Sequence, residues 1–201
     1  MKFYLVDNGS LFTYELARKI VQAGNTVHVQ KYSPYEELDP QDAEIIVLSG
    51  DKNSQVIDQL EENEPWYRHE FELIKTTNLP VLGVCLGHQM IAAALGETIL
   101  ALPELVQEVV NIKLNDIGQQ KLGYNNIHAL ETHSYVVDEI AETGLIELAR
   151  SKDGLEMIYH PKRKLLGVQF HPEIFVNNDS ESVFWDLIGL IASPVGSHKI
   201  A

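Results

Sequence analysis

Leu82-Gly83-Val84-Cys85-Leu86-Gly87-His88-Gln89 is the stretch on which the fold turns. The residues Pro80 to Val84 read as a short buried strand, and Leu86 to Leu95, closed by Gly96, as a helix. The only cysteine of the chain stands between them. Gly83 and Gly87 flank it at a spacing of two, the G-x-nucleophile-x-G pattern of a nucleophile elbow. Glycines there permit a tight turn and a close approach of backbone segments. The sulfur then sits at a helix N-terminus, where the helix dipole favours the reactive thiolate. The N–H of Leu86 is placed to meet a developing oxyanion. A lone cysteine is by default a buried structural residue. Here the two glycines and the strand-to-helix switch argue for a nucleophile.

Working outward, Phe3 to Val6 reads as a strand that stops at Asp7-Asn8-Gly9-Ser10. Leu11 to Ala23 carries apolar residues at helical spacing (Leu16, Ile20, Ala23) and ends at Gly24. Thr26 to Val29 and Ile45 to Leu48 are further strands, and Trp66 to Thr77 a helix opened by Pro65. Strands alternating with helices imply a parallel sheet, and the continuously apolar Ile45 to Leu48 suits a sheet covered on both faces. After Gly96 strand-like segments follow closely: Val106 to Leu114, Tyr124 to Ala129, Leu145 to Ala149, Glu156 to Tyr159 and Leu165 to Phe170. This half reads as an antiparallel or mixed extension, and a last helix, Ser182 to Ile191, packs back. The expected fold is a three-layer α/β open sheet, mostly parallel, in one domain over residues 1–192. Residues 193–201, small and polar with a proline, read as a loose tail.

The 201 residues suffice for one well-buried core, and 45 % hydrophobic with 22 % charged residues is ordinary for a globular protein. A net charge of −14 argues against a nucleic-acid groove and against an anionic membrane surface. The acidic run Glu61, Glu62 and Glu64 reads as a solvated loop. A single cysteine allows no intrachain disulfide, the N-terminal apolar run is too short for a signal peptide, and no stretch approaches the roughly 20 apolar residues of a membrane helix. The expectation is a cytoplasmic protein.

A thiol nucleophile needs a base, and the base an orienting group. Of eight histidines, His171 stands out in Gly167-Val168-Gln169-Phe170-His171-Pro172-Glu173, where it directly follows an apolar strand. Glu173, accepting from the far imidazole nitrogen, would set the tautomer and stabilise imidazolium. Alone, His171 reads rather as a surface-loop histidine beside a helix-capping Glu; Cys85 reverses the choice. His88 is the rival base, on the helix face it shares with Cys85. Cys85 and His88 as half of a zinc site find no second ligand pair of suitable spacing, so no metal is expected.

Gly83-Val84-Cys85-Leu86-Gly87-His88-Gln89 and Gly167 to Glu173 resemble the nucleophile and His-Glu segments of class I, triad-type glutamine amidotransferases, nearest to the subunits of GMP synthase. Thr132-His133-Ser134-Tyr135-Val136-Val137-Asp138 and Asp7 to Tyr14 resemble the anthranilate and aminodeoxychorismate synthase forms. The resemblance runs from Phe3 to about Ile191 and implies a catalytic Cys85–His171–Glu173 triad. It also implies an oxyanion hole from Leu86 with the Gly50–Asp51 loop, and glutamine contacts from Gln89, Ser134 and Tyr135. It implies no metal or organic cofactor, L-glutamine as substrate, and a partner synthetase or synthase that receives ammonia. No P-loop pattern for ATP is present in the chain itself. One departure stands out: Asp51 occupies a loop position where the family commonly has a second glycine. If that position needs positive φ, Asp is tolerated worse than Gly, and its charge near an oxyanion is unfavourable. Weak or partner-dependent activity, a hydrolase of other γ-glutamyl compounds, and a non-catalytic binding module therefore stand beside the amidotransferase reading.

Overall fold

The first strand, β1 (Lys2–Asp7), is apolar on both faces and lies between two others. The computed structural model describes residues 1–52, 66–176 and 180–193. The acidic run Glu61, Glu62 and Glu64, Pro65 before the second helix, and the expected tail from Pro194 onward lie outside the described residues. The other strands are β2 (Thr26–Lys31), β3 (Ile45–Leu48), β4 (Val81–Val84), β5 (Ile99–Leu114), β6 (Asn126–Val137), β7 (Ile146–Arg150), β8 (Leu155–His160) and β9 (Leu165–Val168). They form one sheet in the order β2-β1-β3-β4-β9-β8-β7-β5-β6. The five from β2 to β9 run parallel, and from β8 onward each pairs antiparallel. The expected parallel half with a mixed extension is therefore what the chain forms.

The helices are α1 (Thr13–Gln22), α2 (Arg68–Thr76), α3 (Leu86–Ala94), α4 (Asp116–Leu122) and α5 (Ser180–Ala192). The alternation of strand side chains divides the core in two. On one face Phe3, Leu5, Val47 and Leu82 pack with Leu16 and Ile20 of α1 and with Phe184, Leu187 and Ile188 of α5. On the other, Tyr4, Val6, Ile46 and Leu48 pack with Ile74 of α2 and Met90 and Ile91 of α3. Strands such as β3, buried on both faces, explain why the sequence showed continuous rather than alternating apolar runs.

The structure differs from the sequence reading at several elements. Helix α4 is absent from that reading because seven residues are too few to show periodicity, though its ends are marked. The Asn115 side chain accepts from the Gly118 N–H, and Gly123 closes the helix at φ 79°. Strand β5 begins at Ile99 rather than Val106. Pro103, which has no N–H for the ladder, lies in the stretch where the β5–β6 register shifts between Ala101 and Val106. Strand β6 runs on to Val137, well past Ala129, and so carries Ser134 and Tyr135 on a strand. Strand β9 stops at Val168, three residues short of His171, and α1 begins at Thr13 rather than Leu11.

Strands β1, β3, β4 and β9 are adjacent and parallel, so the segments following them, Asn8–Ser10, Ser49–Asp51, Cys85 and Gln169–Glu173, emerge at one edge of the sheet. Ligand sites of open α/β sheets form at such carboxyl ends. The sheet then curls. Its last strand returns to the first half, where the His171 N–H donates to the Leu130 carbonyl of β6 at 2.9 Å. That closure brings Thr132 to Tyr135 over the strand ends.

Candidate active site

Cys85 joins β4 to α3 with φ 54° and ψ −102°, a backbone conformation that L-residues other than glycine seldom hold. Such strain persists only where surrounding packing imposes it, and it clusters at functional sites. The flanking glycines supply the packing. A Cβ on Gly83 would lie 2.3 Å from the Gly87 carbonyl oxygen, and one on Gly87 would lie 2.6 Å from that of Leu48. Neither glycine has positive φ. They are required because α3 presses directly onto β4 and β3, not because the turn needs their freedom. The Cys85 N–H completes the ladder to Val168 at 2.8 Å, and Leu86, as the first residue of α3, keeps an N–H that no intrahelical acceptor claims.

His171 and Glu173 are both buried, and Nδ1 of the imidazole donates to Glu173 Oε1 at 2.7 Å. That bond leaves Nε2 free, and among the described residues Nε2 is buried with no hydrogen-bond partner. Burial pushes the His171 pKa down, but the Glu173 carboxylate and Cys85 outweigh it and raise it to about 10. Phe12 packs edge-on against the ring with centroids 4.8 Å apart, fixing its plane. Gly50 lies beside both Cys85 and His171. A Cβ there would be 3.3 Å from Cys85 Cβ and 3.4 Å from His171 Cε1.

Asp51 does not take positive φ, so the conformational objection to an aspartate in this loop falls. Its carboxylate is held by the Tyr67 hydroxyl at 3.4 Å and faces the side of Gly9. The loop is anchored from beneath. The Asn8 N–H donates to Ser49 Oγ at 2.9 Å, and its side-chain amide donates to the Ser49 carbonyl and to the buried Glu70. Ser49 Oγ in turn donates to the Gly50 carbonyl at 2.9 Å.

Cys85, Leu86, Asp51, Gln89, Ser134, Tyr135 and His171 line one cavity of about 310 Å³. The sites expected from sequence are thus together, with Glu173 behind His171 and Gly50 beside Cys85. Gln89 does more than face the cavity. Its amide donates to the Tyr135 carbonyl at 2.7 Å and to Gln169 Oε1 at 3.0 Å, tying α3 to β6. The rival base His88 is fully buried over Gly167 and does not line the cavity, and burial pushes its pKa down to about 4. It is a neutral core residue.

Several residues had no role in the sequence reading. Gln169 donates to Cys85 Sγ at 3.7 Å, and the thiol reaches the Thr132 carbonyl at the same distance. Phe12, Asn8 and Glu70 support the base and the loop. Gln169 had a usable signal, a polar residue inside an otherwise apolar strand end. The others are brought in only by the curl of the sheet or by the packing of α2.

The family model described as Glutamine amidotransferase class-I matches residues 4–189. The chain is 29 % identical over 202 residues to a subunit of the glutamine-hydrolyzing GMP synthase of Picrophilus torridus, covering 94 % of this chain and 97 % of that one. It is also 29 % identical over 198 residues to anthranilate synthase component 2 of Cyanophora paradoxa, covering 93 % and 98 %. Against the longer glutamine-hydrolyzing GMP synthase of Ehrlichia canis, 28 % identical, it spans 36 % of the length. The crystal structure of a GMP synthase subunit-type protein of Thermoplasma acidophilum superposes with a TM-score of 0.79 over 96 % of this chain and 94 % of the other, at 22 % identity, which speaks for the fold. With a match that takes in both the strained cysteine and the His–Glu pair, the chain belongs to the class I glutamine amidotransferases.

Proposed function

We propose that the chain hydrolyses L-glutamine to glutamate and ammonia through Cys85, His171 and Glu173, and hands the ammonia to a partner synthetase of the GMP synthase type. The observation that carries the reading is convergence. A cysteine held at φ 54° at a helix N-terminus and a buried His–Glu pair at 2.7 Å open on one small cavity. Cys85 as thiolate attacks the glutamine δ-carbonyl carbon, and an S–C bond forms. The oxyanion is held by the N–H groups of Leu86 and of the Gly50–Asp51 loop. His171, kept protonated by Glu173, gives its proton to the amide nitrogen as the C–N bond breaks and ammonia leaves. Water then attacks the thioester, His171 takes its proton, and the S–C bond breaks to release glutamate. Each group needed is one of the chain's own side chains or backbone donors. Ser134 and Tyr135 hold the glutamine carboxylate end, and Gln89 fixes the Tyr135 backbone.

A cavity of about 310 Å³ is at the small end for ligand pockets and favours a free amino acid over larger γ-glutamyl compounds. The ordinary backbone conformation of Asp51 removes one reason to read the chain as a non-catalytic binding module. The relatives named as GMP synthase subunits support the partner, and the equally similar anthranilate synthase component 2 makes an anthranilate-type synthase the second choice. The test is glutamate release from glutamine by the purified chain, alone and with a GMP synthetase subunit or the synthase subunit of an anthranilate synthase. Release that rises with the GMP-type partner and disappears in Cys85→Ala is expected. Undiminished release in Cys85→Ala, or none with either partner, refutes the reading.

A further inference from the structure

We infer that Glu131, His133 and Glu156 form a structural site for one divalent transition-metal ion of the zinc type, inside the curl of the sheet and behind the substrate cavity. Glu131 and His133 lie on β6 and Glu156 on β8. Both glutamates have no exposed surface, and His133 has 4 %. One donor atom from each lies within 4.8 Å of the others, and His133 Nε2 is 3.2 Å from Glu131 Oε2. Two ligand atoms on a tetrahedral zinc, each at about 2.0–2.2 Å, stand a little over 3 Å apart, which the His133–Glu131 distance matches.

Three features point to a cation rather than to a satisfied polar network. Glu131 Oε1 and Glu156 Oε2 are buried, and among the described residues no N–H or hydroxyl donates to either. Among the described residues, neither glutamate has a Lys or Arg ion pair, and Asp153 adds further negative charge beside Glu156. Without an ion, burial and the neighbouring Glu131 carboxylate raise the Glu156 pKa to about 9, so the carboxyl pair is neutralised by a proton; a divalent ion would replace that proton and neutralise both carboxylates at once. The tautomer of His133 agrees. Its Nδ1 lies 3.1 Å from the Tyr135 carbonyl, which can only accept, so Nδ1 carries the proton. Nε2 then faces the Glu131 carboxylate at 3.2 Å, where a proton or a metal ion can stand between them. Donation from the far nitrogen to a backbone carbonyl is the arrangement that orients metal-bound histidines. Ser151 Oγ donates to Glu156 Oε1 at 2.7 Å and completes the outer layer.

Strands β6 and β8 are not neighbours in the sheet, so no backbone ladder joins them here. The ion would cross-brace the strand that carries Thr132 to Tyr135 over Cys85. His133 also lines the cavity, which gives a way in. The role is structural, separate from the thiol chemistry, and independent of which acceptor receives ammonia.

The experiment uses the full chain, stripped with a chelator and titrated with Zn²⁺, then with Co²⁺. One ion per chain by elemental analysis, a higher melting temperature with Zn²⁺, and a cobalt spectrum lacking thiolate-to-metal charge transfer are expected. Cys85→Ala should bind as the wild type, while Glu156→Gln and Glu131→Gln should weaken binding by roughly tenfold or more. Substoichiometric uptake by wild type, uptake lost in Cys85→Ala, or uptake unchanged in both Gln variants overturns the site. No uptake together with a higher metal-free melting temperature in Glu156→Gln shows instead that the two glutamates share a proton. The cobalt spectrum of the wild type decides the ligand set should a Gln variant fail to fold.

Discussion

Replacing Glu70 by Gln should make the protein's stability much less sensitive to pH. Glu70, on the inward face of α2, is completely buried. Its Oε1 accepts from Asn8 at 3.0 Å, and its Oε2 has no partner among the described residues. Tyr4, Tyr32 and Tyr67 stand near it, and burial raises its pKa from 4.5 to about 8, only partly offset by the Asn8 bond. The folded protein therefore holds a proton that the unfolded chain releases above pH 4.5. Stability from this group is fully present below that pH and is lost as the pH rises to about 8, after which the loss levels off. A difference of about 3.5 pH units at roughly 1.4 kcal/mol each amounts to about 5 kcal/mol. Gln keeps the acceptor for Asn8 and cannot ionise. Its extra amide protons cost about 1–3 kcal/mol if unpaired, but equally at all pH values. Urea unfolding at pH 5 and pH 8.5 measures both proteins, and the difference between their pH slopes isolates Glu70 from every other titrating group. The wild type should lose several kcal/mol more than Glu70→Gln across this interval. Parallel slopes would refute the reasoning and mean that the carboxyl is ionised within the fold.

Two further outcomes follow from the site. Glu173→Gln removes the carboxylate that most raises the His171 pKa, so imidazolium should be lost at a lower pH. The alkaline limb of kcat/KM for glutamine, expected near the His171 pKa of about 10, should then move down, as a pH–rate profile will show. Cys85 holds φ 54°, and only glycine is relaxed there. Cys85→Gly should accordingly unfold at or above the temperature of Cys85→Ala, reversing the ordinary cost of about 0.5–1 kcal/mol for glycine against alanine, while both variants lack glutaminase activity; calorimetry compares them directly.

The two motif segments were legible in the sequence because each is local. A strand end, a nucleophile and a helix start follow one another within Leu82 to Gln89, and His171 and Glu173 are two residues apart. Covalent connection alone keeps such groups within reach, so composition and spacing predict their chemistry. The parallel half was legible for a related reason, since strands buried on both faces write unbroken apolar runs. Helix α4 and the first part of β5 were not, because seven residues show no period and Pro103 interrupts the strand pattern.

What the sequence by itself determined was the α/β class, the order of the elements apart from α4, and the membership of the class I glutamine amidotransferases. What only the tertiary structure decided was everything that joins residues distant in the chain. The curl of the sheet sets Thr132 and Gln169 against the thiol, packing of α2 places Glu70 beneath Asn8 and Ser49, and the Tyr67 hydroxyl donates to Asp51. It also closes β6 toward β8, so that Glu131, His133 and Glu156 meet. Each of these contacts exists because apolar faces bury together and carry polar side chains with them. Burial of that kind leaves no fixed spacing in the sequence from which it could be read.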